Sequence, residues 1–168
     1  MAQLTTAGKT AKTNRPLYNQ GEVPQIVQAI VPIAVATADG DTCILAYNVP
    51  VDTIVSRIML PHGHGSVTGG TDYDIGFYKV DGADGQSLGA VIDADALVDG
   101  KSFATGVVYA FDLLGSGITL DRTQTIADLL GSGYSSEEQS HVHIVMLINT
   151  AGSAAVDLDL EIHLVPAH

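Results

Sequence analysis

VDLDLEIHL (156–164) is the stretch whose reading decides the fold. Val156, Leu158, Leu160, Ile162 and Leu164 alternate without a break with Asp157, Asp159, Glu161 and His163. Successive side chains of a strand point to opposite faces, so the alternation makes one face core and the other wet. Asp157, Asp159 and Glu161 then form an acidic column on the wet face, where like charges discourage edge-to-edge pairing of sheets and offer a docking surface to a basic partner. Just upstream, HVHIVMLIN (141–149) is a continuous apolar run of strand length, the pattern of a strand buried on both faces. The intervening TAGS (150–153) is short enough to join the two as a hairpin.

Further towards the N-terminus the same grammar repeats. IVQAIVPIAVAT (26–37) is apolar but interrupted by Pro32, which a central strand tolerates poorly, so it belongs at a sheet edge or is split in two. The turn ADGD (38–41) introduces TCILAY, and a turn around Asn48 to Pro50 introduces VDTIVSRIML; these two segments read as neighbouring strands. PHGHGSVTGGT (61–71) is a loop, because its glycines and proline suit neither a ladder nor a helix. YDIGFYKV (73–80) is a strand closed by DGADG (81–85), and at least part of the aromatic cluster Tyr73, Phe77 and Tyr78 belongs to the core.

SLGAVIDADALVDGKSF (87–103) fits either a strand or one helical turn, and TGVVYAFDLL (105–114) resembles another strand ended by GSG. The one helical signal is TQTIADLLG (123–131). Ile126, Leu129 and Leu130 fall at helical spacing, Thr123 or Thr125 caps the start and Gly131 the end. The expectation is an all-β domain, a β-sandwich or jelly roll of seven to nine strands with one short helix. It spans residues 25–168 and follows an extended N-terminal arm, residues 1–24, that a partner would order.

Composition supports this and excludes much else. The chain has 168 residues, enough for a single core, and its 18 glycines are scattered among β-branched residues. A formal charge of −12 argues against nucleic-acid binding, which needs clustered Lys and Arg. Lys9, Lys12 and Arg15 all precede the first acid, so a small basic arm leads an acidic body. No apolar run approaches the length of a membrane helix and no signal peptide is visible; a soluble protein made in a cytoplasm is expected. The single cysteine, Cys43, sits beside Ile44 and Leu45 and reads as an inert core thiol.

Catalytic and metal chemistry find little footing. The histidines of His62-Gly63-His64 and of His141-Val142-His143 are the metal-ligand candidates. The second pair shares a strand face, but no rule of sequence brings it to the first. We read all four as surface or loop histidines and expect no metal or other cofactor. The first pair lacks the following glutamate of a cupin motif, the next carboxylate being Asp72. Asp72 with Asp74, and Asp93 with Asp95, read as solvated turn carboxylates because neither lies in a calcium-loop spacing. The nucleophile elbow, the phosphate-binding loop and the zincin motif are missing, so no catalytic residue is assigned and no enzyme is expected.

The most distinctive text runs from Asn48 to Val80. VPVDTIVSRIML (49–60) followed by TGGTDYDIGFY (68–78) resembles small structural proteins encoded among bacteriophage head genes, the capsid decoration or cement proteins; TIADLLG followed by HIVMLIN is similar to the same family. The resemblance implies a β-sandwich or jelly-roll module in the virion that forms a homo-oligomer, trimer or dimer. It would bind the major capsid protein on the outer shell surface and cement the shell. Lys9, Lys12 and Arg15 are the expected capsid contacts. A module of another kind, binding carbohydrate or receptor on a phage tail or fibre, competes with it, although 5% aromatic content without tryptophan suits sugar stacking poorly.

Overall fold

In the computed structural model of the protein, which describes residues 3–4, 24–34, 37–81, 85–131, 140–153 and 155–167, strand β9 (Val156–Pro166) keeps the alternation of its sequence. Leu158, Leu160, Ile162 and Leu164 are buried, while Asp157 is exposed and Asp159, Glu161 and His163 are half-buried on the opposite face. The preceding strands are β1 (Gln3–Leu4), β2 (Gln25–Ile33), β3 (Asp41–Pro50), β4 (Thr53–Leu60), β5 (Asp72–Asp81), β6 (Ser87–Lys101), β7 (Phe111–Asp112) and β8 (His141–Thr150). They form a five-stranded sheet in the order β1-β3-β8-β5-β6 and a four-stranded sheet in the order β2-β9-β4-β7. Strands β2 to β9 thus divide into 3-8-5-6 and 2-9-4-7, the connectivity of a jelly roll, and the core lies between the sheets.

That connectivity corrects two expectations in the same way. TCILAY in β3 and TIVSRIML in β4 are not neighbours, and β8 and β9 are not a hairpin: in both cases the short connection carries the chain from one sheet to the other. Packed sheets lie only about 10 Å apart, so a few residues reach across as easily as they turn back within a sheet. Loop length alone does not distinguish the two. Strand β8 instead pairs with β3 and β5, and β9 with β2 and β4.

Strand β2 occupies the edge of its sheet, unsplit, with Pro32 opposite Asp157, where a missing N–H costs no ladder bond on the open side. Central β8 is buried on both faces. Val142, Ile144, Met146 and Ile148 enter the core, while Val145 packs on the outer face with Ile44 and Tyr78, bordered by Tyr47, Leu88 and Ala94. Strand β6 supplies that cover. Its pairing with β5 jumps from Phe77↔Asp93 to Ile75↔Val98, so its extra residues rise over Gly76, where a Cβ would lie 2.0 Å from the Asp93 carbonyl oxygen.

The ambiguous 87–103 segment is therefore a bulged edge strand. In contrast, 105–114 is mostly not a strand: only Phe111–Asp112 joins the sheet, and Val107 makes one isolated bridge to His64. Helix α1 (Ile126–Leu130) is as read. The Thr125 hydroxyl accepts from the Asp128 N–H at 3.1 Å, the Asp128 carboxylate accepts from the Thr125 N–H at 3.1 Å, and Gly131 closes the helix with a φ of 67°. Ile126 is buried and the Ala127 N–H donates to the Val51 carbonyl, anchoring the helix beneath the sandwich.

Candidate functional site

The four candidate histidines have four different surroundings: His143 overturns the surface-or-loop reading, and His64 lies on a loop but is buried there. His143 is fully buried. Its Nδ1 accepts from the Asn48 N–H at 3.0 Å, which places the proton on Nε2, and Nε2 donates to the Ser87 carbonyl at 3.1 Å. Both ring nitrogens are committed, and the ring edge packs on Tyr47. His64, 8% exposed, donates from Nδ1 to the Gly65 carbonyl at 2.6 Å and stands edge-on to Phe103 with centroids 5.0 Å apart. His62 is exposed, and His141 is half-buried with Nδ1 2.8 Å from the Ser140 hydroxyl. Among the described residues no three His, Cys, Asp or Glu side chains gather so as to hold a metal ion.

The paired carboxylates are likewise strand residues rather than solvated turns. Asp74, on β5, is buried; its Oδ1 accepts from the Gly100 N–H at 2.8 Å and its Oδ2 from the Asn149 amide, which also reaches Asp72 at 3.3 Å. Burial pushes the Asp74 carboxyl above the usual carboxylate range despite those donors, with Asp72 and Asp99 adding to the rise. Asp93 and Asp95 lie on the β6 bulge. Asp93 is raised first by burial and then by its hydrogen bond to Asp95. Cys43 is fully buried and its thiol is pushed up to about 12 by burial, so it holds no reactive thiolate at neutral pH.

What the structure assembles, and the sequence did not reveal, is a pole made of loops. Because the strands alternate in direction, the described parts of connections 34–40, 61–71, 102–110 and 151–155 emerge at one end of the sandwich, and those of 51–52, 82–86 and 113–140 at the other. Hydrogen bonds tie the first set together. His64 and Val107 exchange backbone bonds at 2.8 and 2.9 Å, Val67 N–H donates to Phe103, Phe103 N–H to Gly70, and Ser153 N–H to Thr68. The Asp39 carboxylate accepts from the Ala151 N–H at 2.8 Å. At the summit Val108 is 94% and Tyr109 67% exposed.

This summit is why the apolar text of 105–114 misled: Val108 and Tyr109 face outward, while Leu113 and Leu114 enter the core from a loop rather than from a strand. The tip is nonetheless held. Gly63, at a φ of 69°, lets the Val107 carbonyl approach to 2.0 Å of where a Cβ would stand, a position only glycine accommodates. The His64 ring sits beside Phe111 as well as Phe103, and Tyr109 packs edge-on to Phe111.

Lys9, Lys12 and Arg15, the expected arm contacts, lie outside the described residues. The arm's described part corrects the expectation that a partner orders it throughout: Gln3 and Leu4 pair in parallel with Thr42 and Cys43 at the open edge of β3. An unpaired edge is a template for a strand, and the chain's own N-terminus takes it. Comparison with protein-family models, with curated proteins and with solved structures finds no match for this chain.

Proposed function

We propose that this protein is a bacteriophage virion structural protein that binds the outer capsid surface through its major capsid protein and cements the head shell. The observation that carries the reading is how the chemically capable side chains are used. His143 ties β8 to β3 and β6 through both nitrogens, Asp74 ties β6 to β5 and β8, and Cys43 is sealed in the core. These groups hold a jelly roll together, as suits a part whose work is to be rigid and to bind. The head-protein-like stretches 49–60 and 68–78 supply β4 and most of β5 of that body. The basic segment with Lys9, Lys12 and Arg15 precedes an acidic body and is the natural anchor on the shell.

Co-sedimentation of the purified protein with shells stripped of it tests the proposal. Saturable binding at a stoichiometry matching the shell lattice, with greater resistance of the shell to heat, is expected. Replacing Lys9, Lys12 and Arg15 together by Glu is expected to weaken that binding while the melting temperature stays unchanged. Binding of a few copies or none would overturn the cement reading and direct attention to a tail or receptor-binding module, for which a glycan array is the next test.

A further inference from the structure

We infer that the outer edge of β3 over residues 41–44 is a strand-acceptor site for an extended peptide without charged side chains, running parallel to β3, and that the chain's own residues 1–6 are its ligand. The character of β3 is the starting point. Its first six residues are all buried. Cys43 and Leu45 enter the core between the sheets, while Ile44 packs with Tyr78 and Val145 on the opposite face. Cover on both faces is the pattern of an interior strand, which has a neighbour on each side. One neighbour is β8; on the other side stands β1, only two residues long.

The place where β1 pairs is selective. Strand β3 keeps a regular register with β8 through Asp41, Thr42, Cys43 and Ile44, and shifts follow between Ile44 and Ala46 and between Ala46 and Val49. Bulges bend an edge and spoil it as a template, so the flat stretch is the part that accepts a strand. Gln3 and Leu4 pair there, with Thr42 and Cys43. Two other long edges are blunted by different means. Strand β2 carries Pro32, and β6 is bulged, with the Gly115 N–H donating to its Leu97 carbonyl and its Asp99 N–H donating to the Ser116 carbonyl, both at 2.9 Å. Residues 41–44 contain neither Pro nor Lys, and the Asp41 carboxylate is turned back to accept from the Ala38 N–H at 2.9 Å. An added strand is what closes this edge.

Thr42 gives the site a polar preference. It is 1% exposed, yet its hydroxyl has no hydrogen-bond partner among the described residues. Directly paired residues of neighbouring strands share a face, and Gln3 holds the register position opposite Thr42. Glutamine has both a donor and an acceptor for such a hydroxyl. The ligand is also separable from the site. Residues 5–24 link β1 to β2, so the covalent link as much as the affinity of β1 keeps the strand at hand. With two residue pairs, β1 leaves the edge without unfolding the sandwich. The inference does not rest on the capsid reading.

Amide hydrogen exchange of the full chain, followed by NMR, tests it. Replacing Gln3→Pro and Leu4→Pro together removes both backbone donors of β1. The outward-pointing amides among Thr42, Cys43 and Ile44 are then expected to exchange about tenfold faster or more, with Met146 of β8 unchanged. A peptide of residues 1–6 at about millimolar concentration is expected to restore slow exchange, and the same peptide carrying both prolines is not. Unchanged exchange in the variant overturns the inference, as does equal restoration by the two peptides. If the double substitution unfolds the chain, the wild type decides. In low urea its outward β3 amides are expected to open with a weaker urea dependence than Met146, and an equal dependence overturns the inference.

Discussion

The buried imidazole of His143 on β8 accepts a hydrogen bond from the backbone N–H of Asn48, 95 positions earlier in the chain, at 3.0 Å. Asn48 sits at a φ of 54° within the irregular end of β3, and the other ring nitrogen reaches Ser87 at the start of β6. One side chain thus satisfies polar groups of two other segments on the outer face of the sheet. His143→Ala removes both bonds and leaves a cavity, and is expected to cost about 3 kcal/mol. Urea unfolding midpoints measure the loss. Because both nitrogens are engaged, added zinc is expected to leave the wild-type melting temperature unchanged; a stabilisation by stoichiometric zinc would contradict the assignment.

Gly76 is the position at which the β6 bulge rests on β5. A Cβ there would lie 2.0 Å from the Asp93 carbonyl oxygen and 2.4 Å from the Ala94 carbonyl carbon, both backbone atoms with little room to retreat. Gly76→Ala is therefore expected to destabilise by about 3 kcal/mol or more, well beyond an ordinary strand glycine substitution. Gly40→Ala is the comparison. No atom lies within 4 Å of its Cβ, and only its φ of 86° is strained, so a cost of about 1 kcal/mol is expected there. Thermal unfolding of the two variants side by side gives the ordering.

Asp74 makes stability depend on pH in a definite direction. Burial holds its folded pKa above the ordinary carboxylate value, so folding takes up a proton between the two. Its contribution is most favourable below about pH 4, the unfolded value, and is lost as pH rises through the raised folded value. Asp93 acts in the same sense. Asp74→Asn is expected to flatten the decline of stability with rising pH in that window, with the Asp93 part remaining. Unfolding midpoints at several pH values in both proteins read the difference; an unchanged slope would remove Asp74 as its source.

Cys43 should behave as a reporter of opening. It lies in β3 beneath the pairing with Leu4, fully buried, with its thiol raised to about 12. Thiol reagents at pH 8 are expected to modify the native protein only as fast as it opens, and at once in denaturant. The thiol costs no stability below its unfolded pKa of about 8.5; above it, stability falls as pH climbs towards the folded value. Cys43→Ala should remove that alkaline component.

Much of this was legible residue by residue. The break-free alternation of 156–164, the Pro32 that demands an edge, the Thr125–Asp128–Gly131 punctuation of the helix and the sheltered thiol all follow from local rules, and each stands where those rules place it. The candidate site was far less legible. His64 and His143 read as surface or loop residues because histidine tolerates exposure and burial alike, and only their partners at Phe103, Asn48 and Ser87 show both to be buried. Val108 and Tyr109 looked like strand residues because hydrophobicity does not say which way a segment faces.

The sequence by itself determined most of the strands, the turns between them and which side of β9 is wet, because side-chain alternation and turn chemistry act over a few residues and need no distant partner. Only the tertiary structure decided to which sheet each strand belongs. The links β3–β4 and β8–β9 cross the sandwich instead of turning back within one sheet. Crossing and turning back demand similar lengths of chain, so the choice falls to the packing of whole sheets, a sum over contacts between residues far apart in sequence.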